Sequence, residues 1–315
     1  MIGYVIRRIV ALVPLLLIVS FVVFGLSLLI PGDPAQTLAG GQNAKPETVA
    51  KIREDLHLDE PVFRQYGHWL GGVVRGDLGT SFLRNRTVAE EIRLRFPVTF
   101  SLALGALVFT ILVGVPLGVI AGTRPGHLVD RIVTFGTSAG LAAPDFWVAM
   151  ILIGILAVQR QLLPSQGYVP FADNPLDWAT HLYMPWIALG IPGAAGLARQ
   201  LRGALADTLE QDYVRTARAK GMRSHSVVLK HTLKNAALVP ITVIGLQFAY
   251  LLGGTVIIER IFSLPGMGQY FFDALANKDL PVIQGVVLVS ALIFVVVNLA
   301  VDLMYAYLNP KVRLQ

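Results

Sequence analysis

Gly136-Thr-Ser-Ala-Gly140 has the G-x-S-x-G spacing that exposes a nucleophilic serine when it sits on a strand-to-helix turn. No strand pattern precedes it here. It lies inside a long apolar run, where small residues serve close helix packing, so it points to packing and not to hydrolysis. Nucleotide chemistry is missing too. No G-x-x-x-x-G-K-[ST] occurs, and the chain has no Gly-Lys dipeptide, so any ATP that drives this protein is bound by another polypeptide. There are no cysteines, and the six histidines (57, 68, 127, 181, 225 and 231) show neither H-x3-H nor HExxH spacing. Neither a metal nor a cofactor is expected within the chain.

Two other groupings carry information. Asp145 follows Pro144 about 20 Å along an apolar helix that starts near Ile132. An acid at that depth is a candidate for the substrate path. The simpler alternative is a cap on the half-helix that begins after the proline. The second grouping is Tyr213-Val-Arg-Thr-Ala-Arg-Ala-Lys-Gly221, a basic helix-forming stretch between two apolar runs. Glu210 and Asp212 open it and Arg215, Arg218, Lys220 and Arg223 follow, an order that suits a helix macrodipole. Gly221 reads as its stop. Small Ala217, Ala219 and Gly221 would let a soluble partner approach closely. The plainer reading is a solvated loop.

The elements that must position these groups are membrane helices. The 315 residues are 54% hydrophobic and 15% charged, against about 25% charged in soluble domains. The net charge of +6 is not gathered into a patch, so no nucleic acid partner is expected. Apolar runs at Ile9–Ile30, Val98–Ala121, Ile132–Val158, Tyr183–Ala198 (short, and broken by Pro185 and Pro192), Ala236–Ile258 and Val282–Tyr305 give six spans. The first is too long for the core of a signal peptide. Lysine and arginine in the short loops gather on one side, which places that side and both termini in the cytoplasm. The chain divides into residues 1–30 with the first span, an outer loop 31–97, a core 98–306 carrying the inner loop 199–235, and a tail 307–315.

The outer loop reads as folded. Val49, Ile52 and Leu56 share a helical face, and Phe63, Tyr66, Trp69 or Leu70, and Val73 make a stripe after Pro61. Gly76-Asp-Leu-Gly79 is a turn. Thr87-Val-Ala-Glu90 fits a capping box for a helix that ends near Pro97. Either this unit caps the bundle or it serves as a platform for an external partner. Gly114, Gly118 and Gly122 form a packing face on the second span, and Pro116 marks a bend. Glu259–Asp279 is an outer segment broken by Pro265-Gly266 and Gly268, with Phe262, Tyr270, Phe271 and Phe272 as its apolar body.

Taken together, these residues resemble the permeases of bacterial ABC importers of the type I fold, in the dipeptide/oligopeptide/nickel branch. The inner loop is similar to the EAA loop. Asp212-Tyr-Val-Arg-Thr-Ala-Arg-Ala-Lys-Gly221 is followed by Lys230-His231 and Lys234-Asn235-Ala236. Aligned on Gly221, Arg215 stands at the glutamate position, and of the usual Ile-x-Leu-Pro tail only Leu233 matches. Ile30-Pro-Gly-Asp-Pro34, Gly76-Asp-Leu-Gly-Thr-Ser81, Phe146-Trp147, Pro240–Gln247, Gly253-Gly254, Glu259 with Phe262 and Pro265-Gly-Met-Gly268, and Asn309-Pro310 agree in order. The first permease of the pair is the nearer likeness.

The resemblance implies an all-α membrane protein of the bacterial cytoplasmic (inner) membrane. It implies as partners a homologous permease, two cytoplasmic ATPases that hold ATP and Mg, and an extracytoplasmic solute-binding protein. Short peptides are the implied cargo, with nickel, glutathione or haem as alternatives. Tyr213, Arg215, Thr216, Ala217, Arg218, Ala219, Lys220 and Gly221 are the expected coupling residues. Asn277, Lys278 and Asp279 are the expected contacts to the binding protein. An ion-coupled carrier or channel is disfavoured because no internal repeat is seen, and an intramembrane enzyme because its motif stands alone.

Overall fold

The computed structural model describes residues 2–28, 35–36, 39, 44–55, 57–84, 86–223, 226–236 and 238–308. The Ile30–Pro34 and Asn309-Pro310 motifs, Leu56 and the tail bases Lys311 and Arg313 lie outside them. The chain begins with α1 (Ile2–Leu28), then α2 (Pro46–Asp55) and α3 (Val62–Val74). The long α4 (Val88–Gly122) follows, then α5 (Leu128–Ala142) and α6 (Asp145–Leu152), which continues as a π-helix over Ile153–Gln159. Next come α7 (Pro175–Leu209), the short α8 (Asp212–Ala219), a π-helical turn Val227–Thr232 and α9 (Leu233–Ala236). The chain closes with α10 (Leu238–Gly254), α11 (Val256–Ile261), α12 (Met267–Asn277) and α13 (Leu280–Leu308). Among the described residues the one bridge between extended segments is the isolated pair Thr80–Thr87.

Val88–Gly122 and Leu280–Met304 are long and apolar enough to cross a membrane, and Leu128–Ala142 with Asp145–Gln159 makes a third candidate as a pair bent by 99°. Leu112, Phe135 and Val296 are more than half exposed on these helices, as side chains facing lipid or another apolar subunit would be.

Prolines were poor guides to helix ends. The third outer-loop helix and the second span are one helix, since α4 runs through both Pro97 and Pro116. Likewise α7 runs through Pro185 and Pro192 and extends to Leu209, well into the expected inner loop. A proline removes one intrahelical bond, and neighbouring helices make that tolerable in an apolar bundle. Pro144 does break the chain. It holds Ala143 extended (φ −78°, ψ 119°), as the residue before a proline prefers, so the expected third span is two helices meeting at a corner.

The helix pair α4 and α7 forms the centre. A methyl group added at Gly114 would lie 2.8 Å from the Ala194 carbonyl oxygen, and one at Gly118 would lie 2.9 Å from that of Ala198. One at Gly122 would lie 3.0 Å from that of Arg202. The small-residue face therefore lets the two backbones touch along three turns, as expected from its spacing. Gly140 similarly meets Ala195, whereas Gly136 faces open space. Around this pair lie buried Leu102, Leu182, Met184, Leu251 and Phe262.

Outside the centre, α3 sets its aromatic stripe against α1. Tyr66 meets Phe21 and Phe24 at 5.3 and 5.7 Å between ring centroids, and its hydroxyl lies 2.7 Å from Ser20 Oγ. The expected turn holds Gly76 and Gly79 at φ 86° and 83°. Thr87 caps α4 by accepting from the Glu90 N–H at 3.4 Å.

Candidate coupling surface

Helix α7 is 35 residues long, about 52 Å. Near its far end the chain turns and forms α8. This helix carries Asp212 in its first turn and Arg218 in its last, matching the macrodipole. Val214 and Ala217 are buried against Leu209, Met222 and Val227. The opposite face exposes Tyr213, Arg215, Thr216, Arg218, Ala219 and Lys220, with Gly221 and Arg223 just beyond. Ala217 thus seats the helix against its neighbours, while the other seven expected coupling residues face outward.

Gly221 has φ +76°. The Met222 N–H donates to the Ala217 carbonyl at 3.3 Å and the Gly221 N–H to the Arg218 carbonyl at 2.9 Å. These two bonds make a Schellman motif, with Met222 and Ala217 as its apolar contact. The helix is therefore closed by backbone geometry that its sequence announced.

A partly buried ion pair anchors the same region. Arg202 on α7 donates through Nε and Nη2 to both carboxylate oxygens of Asp130 on α5, the second bond measuring 2.7 Å. Asp130 also accepts from the Gly126 N–H at 2.9 Å and is 3% exposed. Sequence reading passed over Asp130. Its signal was an acid at the foot of an apolar run, facing a loop of bases.

Arg202→Gln should lower stability by roughly 2 kcal/mol. That is below the 3–5 kcal/mol of a fully buried pair, because the Arg202 side chain keeps 35% of its surface exposed. Thermal unfolding of the detergent-purified chain measures this. Adding Asp130→Asn should restore part of the loss, and a double variant worse than the sum of the singles would refute the pairing account.

Asp145 stands in the first turn of α6, with Pro144 at the cap position, so it does not itself occupy the cap. Its Oδ1 accepts from the Phe146 N–H at 2.7 Å, and the residue is half-buried at the corner of the bent pair. Asn277 and Lys278 are exposed at the end of α12. Lys278 takes φ +57° there. Asp279 is different: it is 2% exposed and accepts from Ser81 Oγ at 2.6 Å and from the Phe82 N–H at 3.2 Å. It ties the Gly76–Ser81 turn to α13 and offers no free surface, which corrects its place among the contact candidates.

Two further gatherings escaped sequence reading. Glu259 is fully buried and accepts from Thr99 Oγ1 at 2.7 Å, Thr255 Oγ1 at 2.8 Å and the Gln269 N–H at 2.8 Å. It stitches the broken outer segment to α4. At the corner between α2 and α3, His57, Glu60 and His68 converge, although their spacing gave no ground for expecting a metal site.

The chain matches two family models. Residues 114–314 match the binding-protein-dependent transport system inner membrane component, and residues 1–103 match the N-terminal model for membrane components of such systems. A Brucella abortus (strain 2308) protein that carries the name of a peptide transport system permease is 41% identical over 99% of both chains. The glutathione transport system permease protein of Pectobacterium atrosepticum is also 41% identical over 99% of both, and that of Escherichia coli O6:H1 is 39% identical over 99% of both. Among solved structures, an inward-facing MetNI methionine ABC transporter chain superposes with a TM-score of 0.56 at 18% identity, covering 69% of this chain and 96% of that one. The fold is thus that of an ABC transporter membrane chain, and the protein belongs to the family of binding-protein-dependent transport system inner membrane components.

Proposed function

We propose that this chain is a six-span permease subunit of a type I ABC importer in the bacterial cytoplasmic membrane, with both termini in the cytoplasm. It pairs with a homologous permease, two ATPases that bind ATP and Mg, and an extracytoplasmic solute-binding protein. ATP-driven closure of the ATPases moves α8, and the bundle alternates its access. Cargo delivery in turn favours the ATP-bound state, as linkage requires. The observation that carries this reading is α8 itself: a rigidly capped, basic, outward-facing helix seated on the end of α7, which packs against α4 through glycines. Short peptides are the cargo best supported. The full-length relatives are named for peptide and glutathione transport, and glutathione is itself a tripeptide.

The test is cysteine labelling followed by uptake in vesicles, since the chain has no native cysteine. Lys220→Cys should react only from the cytoplasm and Thr80→Cys only from outside. The reverse pattern would overturn the topology. Uptake of a dipeptide or of glutathione should require ATP and the cognate binding protein, and flux without ATP would favour a carrier.

Asp145 provides a second check. If it faces the cargo path and attracts a peptide ammonium, Asp145→Asn should reduce uptake at limiting substrate about tenfold, roughly 1.4 kcal/mol of lost attraction, while ATP hydrolysis persists. Unchanged uptake would leave it as a first-turn acid that steadies α6.

A further inference from the structure

The corner joining α2 to α3 gathers three side chains that bind metals. His57 Nδ1 lies 3.2 Å from Glu60 Oε1, and His68 Nε2 lies 3.4 Å from Glu60 Oε2. One ligand atom from each residue falls within 4.8 Å of the other two. The imidazoles stack at 4.4 Å with their planes 13° apart. A tetrahedral ion with bonds of about 2.0–2.1 Å holds neighbouring ligand atoms about 3.3–3.4 Å apart. The two imidazole–carboxylate distances run to different Glu60 oxygens, Oε1 and Oε2, so seating one ion requires the stacked, exposed rings to turn until both nitrogens face it.

The backbone adds an independent observation. His57 has φ +54° and fills the left-handed slot of a Schellman turn at the end of α2. There the Leu58 N–H donates to the Arg53 carbonyl and the His57 N–H to the Glu54 carbonyl, both at 3.0 Å. Glycine suits this slot, and a side chain there is disfavoured. The His57 ring is exposed, so burial does not offset that cost. The corner is also held from both sides. Gln65 Nε2 donates to the carbonyls of Leu58 and Glu60 at 3.0 and 2.8 Å, and Arg53 pairs with Asp59 at 3.1 Å. The backbone that carries Glu60 is thus held in place between the two histidines.

We propose that His57, Glu60 and His68 form a binding site for a divalent transition metal of the zinc class, with a fourth position open to water or an outside group. Two imidazoles and one carboxylate favour Zn2+, Ni2+ or Cu2+ over Mg2+ and Ca2+. Bound metal would clamp α2 to α3 on the outer loop, far in sequence from the coupling surface.

The test uses the full-length chain in detergent with any purification tag removed, dialysed to equilibrium against Zn2+, with metal counted per chain. The wild type should bind one Zn2+ more than the His57→Gly/His68→Gln double variant. Each single variant should weaken that site at least tenfold. His57→Gly suits the backbone angle, so loss of metal in it cannot be ascribed to misfolding, and equal helix content by circular dichroism checks this. Excess Mg2+ should not displace the ion. Equal zinc content in the wild type and the double variant would overturn the proposal, as would displacement by Mg2+. Neither result depends on transport, so failure here leaves the permease reading standing.

Discussion

Glu259→Leu should destabilise the end of the bundle that holds α11 and α12 by several kcal/mol, whereas Glu259→Gln should cost about 1 kcal/mol. The carboxylate is fully buried, and the structure gives it three donors: the hydroxyls of Thr99 and Thr255 and the Gln269 N–H. Thr99 Oγ1 also accepts from the Met267 N–H at 2.9 Å, so one acid orders both arms of the broken segment. Leucine strands all three donors, each at about 1–3 kcal/mol when buried without a partner. Glutamine keeps the shape and one acceptor oxygen, and the threonine hydroxyls can turn to suit the amide.

Gly266 sits so close to this carboxylate that an added methyl group would overlap it. Gly266→Ala should therefore resemble Glu259→Leu. Thermal unfolding in detergent and the amount of chain in the membrane measure these effects. If Glu259→Gln proves as damaging as Glu259→Leu, the negative charge is essential and the hydrogen-bond account fails. If Glu259→Leu unfolds at the wild-type temperature, Glu259 does not order the segment.

What the sequence made legible was local. The Thr87 cap, the Gly76–Gly79 turn, the stop at Gly221 and the breaks at Pro144 and Pro265 each depend on a few neighbouring residues. The glycine face of α4 was legible because its period is that of the helix. Partners remote in sequence were not legible. Arg202 and Asp130 are 72 positions apart, Thr99 and Glu259 160, and Ser81 and Asp279 198. Pattern reading treats each such polar residue as a loop or surface group, and only the packed bundle reveals what satisfies it. The prolines of α4 and α7 misled for the same reason. Their cost is local, and what offsets it is the surrounding helices.

Helix α8 joins both kinds of information, and it carries the other large effect. Gly221→Val should leave the amount of membrane-inserted chain near normal yet reduce cargo-stimulated ATP hydrolysis and uptake at least tenfold in the assembly proposed above. The space around Gly221 is open, with nothing within 4 Å of an added methyl group, so the substitution acts through the backbone alone. At φ +76° a side chain costs about 1–2 kcal/mol, and a β-branched one is a genuine outlier. That is too little to unfold the bundle. It is enough to release the two closing bonds from Gly221 and Met222 and to lift Met222 from its contact with Val214, Ala217 and Val227. Helix α8 would then lose its fixed angle to α7, and force applied to its basic face would no longer move the bundle. Gly221→Asn separates the causes, because asparagine visits the left-handed region at little cost. It should retain most of the transport. If asparagine is as harmful as valine, bulk at a docked surface matters and the backbone angle does not. If the valine variant transports at the wild-type rate, α8 is only a solvated surface helix and coupling lies elsewhere.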